Sequence, residues 1–237
     1  MNILIFGGTS GIGRALAEQY AAEGHKVAIT GRREEKLEEL AKEFPGKILS
    51  IRHNIRDLSF TPDVIDKAHE SFGRVDLIIV NAGIGKYNLE LDWEKCESVI
   101  KTNVLGVTKA MTDAYKYFQK QGKGHLVNVS SVASLVGNGI NPSYNASKAF
   151  QANFTEGLWI KSKKTRKAEI YVTDIRPGFV DTKLARDAVF WKADVQTAAR
   201  QIRKAIRNKK KVAYITKRWI LVGWVLKFLP PFLLKKI

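Results

Sequence analysis

Cysteine is nearly missing from this chain: Cys96 is the only one among 237 residues. No internal disulfide can form, no cysteine metal cluster can assemble, and no metal site is expected. Acidic residues are also scarce, 23 against 40 basic ones, which leaves a formal net charge of +17. An excess of that size attracts polyanions, whether nucleic acid, anionic lipid or a phosphorylated cofactor, and does not choose among them. Helix-turn-helix, zinc and aromatic RNA-binding motifs are lacking, so nucleic acid is not the expected partner. No Pro/Gly/Ser-rich linker, internal repeat or low-complexity segment divides the sequence, and a single domain covering 1–237 is expected. The first apolar strand leaves no room ahead of it for a leader peptide, which points to a reducing cytoplasm.

The 45% hydrophobic content is organised as an alternation. Apolar strands are expected at 3–6, 26–30, 48–53, 77–80, 125–129, 170–175 and 212–215, with helical patterns between them at 13–23, 33–44, 63–72, 93–121, 144–161 and 196–207. Several strands lack polar alternation, which is the pattern of strands covered on both faces. Right-handed crossovers then wind an α/β fold, a doubly wound sheet of about seven parallel strands with helices on both faces. The basic runs "KSKKTRK" (161–167) and "RQIRKAIRNKKK" (200–211) read as solvated helix ends and loops.

Ligands of such sheets sit at the carboxyl ends of the strands. There, after the first strand, stands "GGTSGIG", whose Gly7, Gly11 and Gly13 follow the spacing GxxxGxG. Glycines allow a tight turn and close approach of the backbone to a pyrophosphate, and the helix starting near Ile12 aims free N–H groups at the anion. Further on come "NAG" at Asn81, Ala82 and Gly83, Asn103 in "TNVLG", "NVSS" ending at Ser131, "YNASK" from Tyr144 to Lys148, and "RPGFVDT" from Arg176 to Thr182.

In order and spacing these segments resemble the short-chain dehydrogenase/reductase family, from Ile3 to about Thr182. The resemblance implies a Rossmann-type fold, a nicotinamide cofactor and hydride transfer between a carbonyl and an alcohol. The residues agree with that chemistry. Tyr144 and Lys148 are four apart on an expected helix and project from one face. A phenol, with a pKa of about 10, is a poor base at neutral pH, and a neighbouring ammonium is expected to bring it down. Tyr144 is then the general acid in reduction and the general base in oxidation. Ser131, just past a strand end, is placed to polarise the substrate carbonyl. By resemblance, Lys148 also holds the nicotinamide ribose, and Asn103 matches the family's asparagine that holds a water relaying protons to the lysine. Cofactor contacts carry over to Gly7, Thr9, Ser10, Gly11, Ile12, Gly13, Asn54, Asn81, Ala82, Gly83, Tyr144, Lys148, Pro177, Gly178, Val180 and Thr182.

Cofactor choice turns on "VAITGRRE". NAD-preferring relatives usually end the second strand with an acid that binds both ribose hydroxyls, and here Gly31 stands in its place. Arg32 and Arg33 follow, and a guanidinium suits a ribose 2′-phosphate in charge and in its forked geometry. NADP(H) is the expected cofactor, with Ser10 adding a hydroxyl. Two departures are visible. Phe6 replaces the family's common threonine before the first glycine, so the usual hydroxyl link towards Asn81 is lost. Asn54 replaces the aspartate that usually meets the adenine amino group.

Past the resemblance, 183–211 reads as a substrate loop and helix, with Phe179, Phe190 and Trp191 as apolar wall candidates and no charge set to meet a carboxylate. A lipophilic carbonyl or alcohol is the expected substrate. The alternative is a catalytically weak dinucleotide-binding protein with an interaction or redox-sensing role. Family members commonly pair through the helices that here span 93–121 and 144–161, so a homodimer or homotetramer is expected, with Phe150, Phe154 and Leu158 as an apolar stripe. The tail 217–237 contains the apolar stretch 219–234, 16 residues with one charge, Lys227, and with Pro230 and Pro231 inside it. That is short of the about 20 apolar residues that span a bilayer. Bordered by Lys217, Arg218, Lys235 and Lys236, it fits peripheral contact with a membrane's inner surface, and equally a lid or a subunit interface.

Overall fold

The computed structural model describes residues 1–85, 87–182 and 191–230, with backbone alone for 224, 226 and 227. Phe190 and most of the expected substrate loop (183–190), like the tail residues 231–237 with Lys235 and Lys236, lie outside the described residues.

The alternation of apolar runs and amphipathic segments becomes β1 (Asn2–Phe6), α1 (Gly11–Ala22), β2 (Lys26–Gly31), α2 (Glu34–Glu43), β3 (Ile48–Arg52), α3 (Thr61–Phe72) and β4 (Leu77–Val80) in the first half. The second half holds α4 (Trp93–Val99), α5 (Val107–Gln121), β5 (Lys123–Val129), α6 (Pro142–Lys164), β6 (Glu169–Pro177), α7 (Val195–Arg207), β7 (Val212–Ile215) and α8 (Trp219–Phe228). The seven strands form one parallel sheet in the order β3-β2-β1-β4-β5-β6-β7. Strand order reverses between β1 and β4, which opens a crevice at their carboxyl ends.

Side chains alternate across each strand, so the sheet feeds two separate cores. From β1, Ile3 and Ile5 pack with Leu16 and Tyr20 of α1 and Ile202 of α7, whereas Leu4 and Phe6 pack with Val64 of α3 and Met111 of α5. Strand β4 does the same, with Leu77 and Ile79 on one side and Ile78 and Val80 on the other.

The expected single helix over 93–121 is interrupted. Between α4 and α5 the chain winds as a π-helix over Ile100–Gly106, and Thr102, Asn103 and Gly106 are buried there. Such widened turns leave composition and periodicity almost unchanged, which is why the pattern does not reveal them. The Phe150, Phe154, Leu158 stripe also divides: Phe154 and Leu158 pack against the second core, while Phe150 is 43% exposed and stacks on Phe154 at 6.0 Å.

Candidate active site

The β1–α1 turn is built by close approach. Gly7 has φ +87°, a region that side chains disfavour, and a Cβ there would lie 2.8 Å from the Cα of Ala82. A Cβ on Gly13 would lie 2.0 Å from the Gly7 carbonyl oxygen. Asn81 donates from Nδ2 to the Gly7 carbonyl at 2.8 Å, and its N–H reaches the Phe6 carbonyl at 3.0 Å. The turn is thus tied to the Asn81 segment without a hydroxyl at position 6, whose phenylalanine is in the core.

Around this turn a cleft of about 1250 Å³ follows the carboxyl ends of the strands. It is lined at one end by Gly7, Thr9, Ser10, Gly11, Ile12, Gly31, Arg32, Arg33 and Asn54, in the middle by Asn81, Ala82, Gly83 and Thr182, whose side chain lies against Gly11, and at the far end by Ser131, Tyr144, Lys148, Pro177, Gly178 and Val180. Gly13 and Asn103, also expected site residues, do not line it; they support it from behind. Arg33 donates from Nη2 to Thr9 Oγ1 at 2.7 Å and Ser10 Oγ at 2.9 Å, which fixes it over the turn, while Arg32 is exposed at the rim. A Cβ on Gly31 would lie 2.4 Å from Thr9 Cγ2, so the position of the missing acid is filled by the turn itself. The Oδ1 of Asn54 accepts the N–H of Arg56 at 3.3 Å.

At the far end, Ser131 caps a short 3₁₀ turn, its Oγ accepting the N–H of Ala133 at 3.1 Å. The same hydroxyl hydrogen-bonds Tyr144, pulling the phenol pKa down, but burial dominates and pushes it up. The sequence led us to expect the opposite direction from the Lys148 ammonium. That ammonium is turned aside: Nζ donates to the Val129 carbonyl and to Gln151 Oε1, both at 3.0 Å, and lies 5.9 Å from the Tyr144 ring centroid. Burial brings Lys148 down to about 8, and the charge of Asp174 works against that fall. Asp174 is itself buried at 2% exposure, accepting Ser130 Oγ and Arg176 Nε, both at 2.6 Å.

The side chain of Asn103 clamps Ile84, accepting its N–H at 2.9 Å and donating to its carbonyl at 2.8 Å, and donates to Ser147 Oγ at 3.0 Å. Its main-chain carbonyl accepts Gln151 Nε2 at 2.7 Å. The connection from Asn103 to Lys148 therefore runs through the amide of Gln151, a residue 1% exposed.

Sequence reasoning missed Gln151, Asp174 and Trp219. Gln151 lies three residues past Lys148 on the same helix face, a signal that was available. Trp219 is 5% exposed and lines the cleft beside Gly178, and its Nε1 has no hydrogen-bond partner among the described residues. With Val132, Val136, Ile140, Phe179 and Val222 it makes the far end apolar, and Lys148 is the one charged residue among the described lining there. Trp191 is 41% exposed and meets Trp219 edge-on at 6.4 Å, so it belongs to the rim and not to the core.

A family model described as short chain dehydrogenase matches residues 1–193. The chain is 35% identical over 189 residues to a 3-oxoacyl-(acyl-carrier-protein) reductase of Thermotoga maritima, covering 76% of this chain and 74% of that one. Among solved structures it is similar to an NADPH-dependent 3-quinuclidinone reductase from Rhodotorula rubra, with 26% identity, a TM-score of 0.76 and coverage of 90% and 88% of the two chains. A Burkholderia phymatum protein in complex with NAD matches with a TM-score of 0.82 at 22% identity, covering 94% and 92%, a likeness of fold.

Proposed function

The chain belongs to the short chain dehydrogenase family, and on that footing we propose that it is an NADP(H)-dependent oxidoreductase interconverting a lipophilic carbonyl compound and its alcohol. The observation that carries this reading is the meeting of Ser131, Tyr144 and Lys148 at the apolar end of a cleft whose other end is rimmed by Arg32 and Arg33. The glycine turn fits a dinucleotide: its bare backbone and the start of α1 suit a pyrophosphate, and the two guanidiniums suit a 2′-phosphate. When bound, the nicotinamide supplies or accepts the hydride. Ser131 donates a hydrogen bond to the carbonyl oxygen, and Tyr144, held protonated by burial, gives that oxygen its proton in reduction and recovers it in oxidation. Lys148 sets the charge beside the phenol, with Asn103 and Gln151 fixing its direction. The two named reductases among its relatives support the carbonyl chemistry.

Absorbance at the nicotinamide band with a panel of ketones and aldehydes tests the reading. Tyr144→Phe keeps the ring and removes the proton, so turnover falls by about 100- to 10,000-fold while NADPH affinity is retained. Near wild-type turnover in that variant overturns the assignment. Arg32→Asp weakens NADPH about ten- to a hundredfold more than NADH, as loss of a charged hydrogen bond requires. Equal loss for both cofactors removes Arg32 from phosphate recognition.

A further inference from the structure

Helix α8 serves the cleft with one face and leaves another face exposed. Trp219 and Val222 line the cleft, and Gly223 lies against Leu135, where a Cβ would fall 2.6 Å from Cδ1. Turned outwards are Leu221, Val225 and Phe228, exposed by 73%, 59% and 69%. Their spacing of four and three residues makes one stripe along the helix. A cluster of large apolar side chains in water marks a surface that meets something.

The stripe continues around the mouth of the cleft. Phe179 and Trp191 stand at 41% exposure beside Trp219. Across the cleft, the loop carrying Leu89 (70% exposed) is joined to the opposite rim by the Asn88 N–H, which donates to the Ile140 carbonyl at 2.9 Å. Cations flank the apolar surface: Lys217 and Arg218, both exposed, open α8, and the sequence from 217 to 237 contains no acidic residue.

From this arrangement we infer that α8 and the rim of the cleft rest on an anionic lipid bilayer, the stripe entering the boundary between headgroups and acyl chains and Lys217 and Arg218 meeting lipid phosphates. Ten residues of helix span about 15 Å, half of a hydrocarbon core of about 30 Å, so the helix lies on the bilayer. No helix among the described residues is long and apolar enough to cross a membrane. Charge at this face selects this occupant over a second copy of the chain, because a symmetric pair through α8 would bring Lys217 and Arg218 towards their counterparts. The docking stands on the surface alone. That the substrate enters from the lipid rests on the oxidoreductase reading.

Sedimentation with phosphatidylcholine vesicles, with and without phosphatidylglycerol, tests it. The full chain sediments with the phosphatidylglycerol vesicles at low salt, and less of it does so as salt is raised. Leu221→Asp combined with Val225→Asp lowers the bound fraction by about tenfold or more. Both side chains are exposed and outside the cleft, so the far-UV circular dichroism and the NADPH dissociation constant stay those of the wild type. Lys217→Glu weakens binding to phosphatidylglycerol vesicles alone. Failure of the full chain to sediment with either vesicle at low salt overturns the inference, as does undiminished binding of the double variant. So does light scattering in which the double substitution splits a dimer that never bound vesicles, since the stripe then belongs to a second copy. A chain that binds vesicles but reduces no carbonyl compound removes the oxidoreductase reading and leaves the docking in place.

Discussion

Lys148 is held in a balance that a single side chain can tip. Burial favours its neutral form and brings it to about 8, while the buried carboxylate of Asp174 favours the ammonium. A lysine with a lowered pKa is charged below that value and neutral above it, so a reaction that needs the ammonium beside Tyr144 declines on the alkaline side of about 8. Asp174→Asn removes the supporting charge and moves this alkaline limb of kcat towards neutrality by about one unit. An unmoved limb, with the fold intact by circular dichroism, assigns the limb to another group. Ser131, Tyr144 and Lys148 were legible because their relation is local spacing in the sequence. Asp174 and Gln151 were not, because a carboxylate in a strand and an amide in a helix read as solvent-facing until the tertiary fold buries them to 2% and 1% exposure.

At the level of elements, the strands were legible almost to the residue, since each apolar run is bounded by a turn or a charge; β5 starts two residues before the expected 125, at Lys123. The π-helix at Ile100–Gly106 was hidden because one additional residue in a turn keeps the same amphipathic face. It nonetheless places the site, as it carries Asn103 to Ile84 and Ser147 and brings Thr102 to the guanidinium of Arg56 at 2.7 Å. The β1–α1 turn is the least forgiving connection. Gly13→Ala puts a methyl group against the Gly7 carbonyl and Asn81 Nδ2, 2.0 and 2.5 Å away, and neither can retreat without breaking their mutual hydrogen bond. The variant loses about 3 kcal/mol of stability, read from the denaturant midpoint, and NADPH affinity falls with it. A wild-type midpoint shows that the turn relaxes.

For the whole molecule, the described surface carries a second set of exposed apolar groups, Ile100, Leu105, Phe150 and Ile160, on the helical layer made by α4, the π-helix and α6. They sit on the two expected pairing segments, and we propose a homodimer or homotetramer through them. Light scattering at micromolar concentration returns a multiple of the 26.6 kDa chain mass, and Phe150→Glu returns the chain mass itself; a monomeric wild type ends the proposal. The same layering bears on how the protein opens. β1 and β4 lie at the centre of the sheet with a core on each face, and their side chains from Ile3 to Phe6 and from Leu77 to Val80 are at most 2% exposed. β3 and β7 close the sheet at its edges, with three of the first four residues of each only partly covered. Opening at an edge costs the burial of one strand, whereas freeing the centre means separating both cores at once. Amide deuteration therefore runs inwards from the two edges, and the last protons to leave, those of Ile5 and Ile79, time the unfolding of the entire chain.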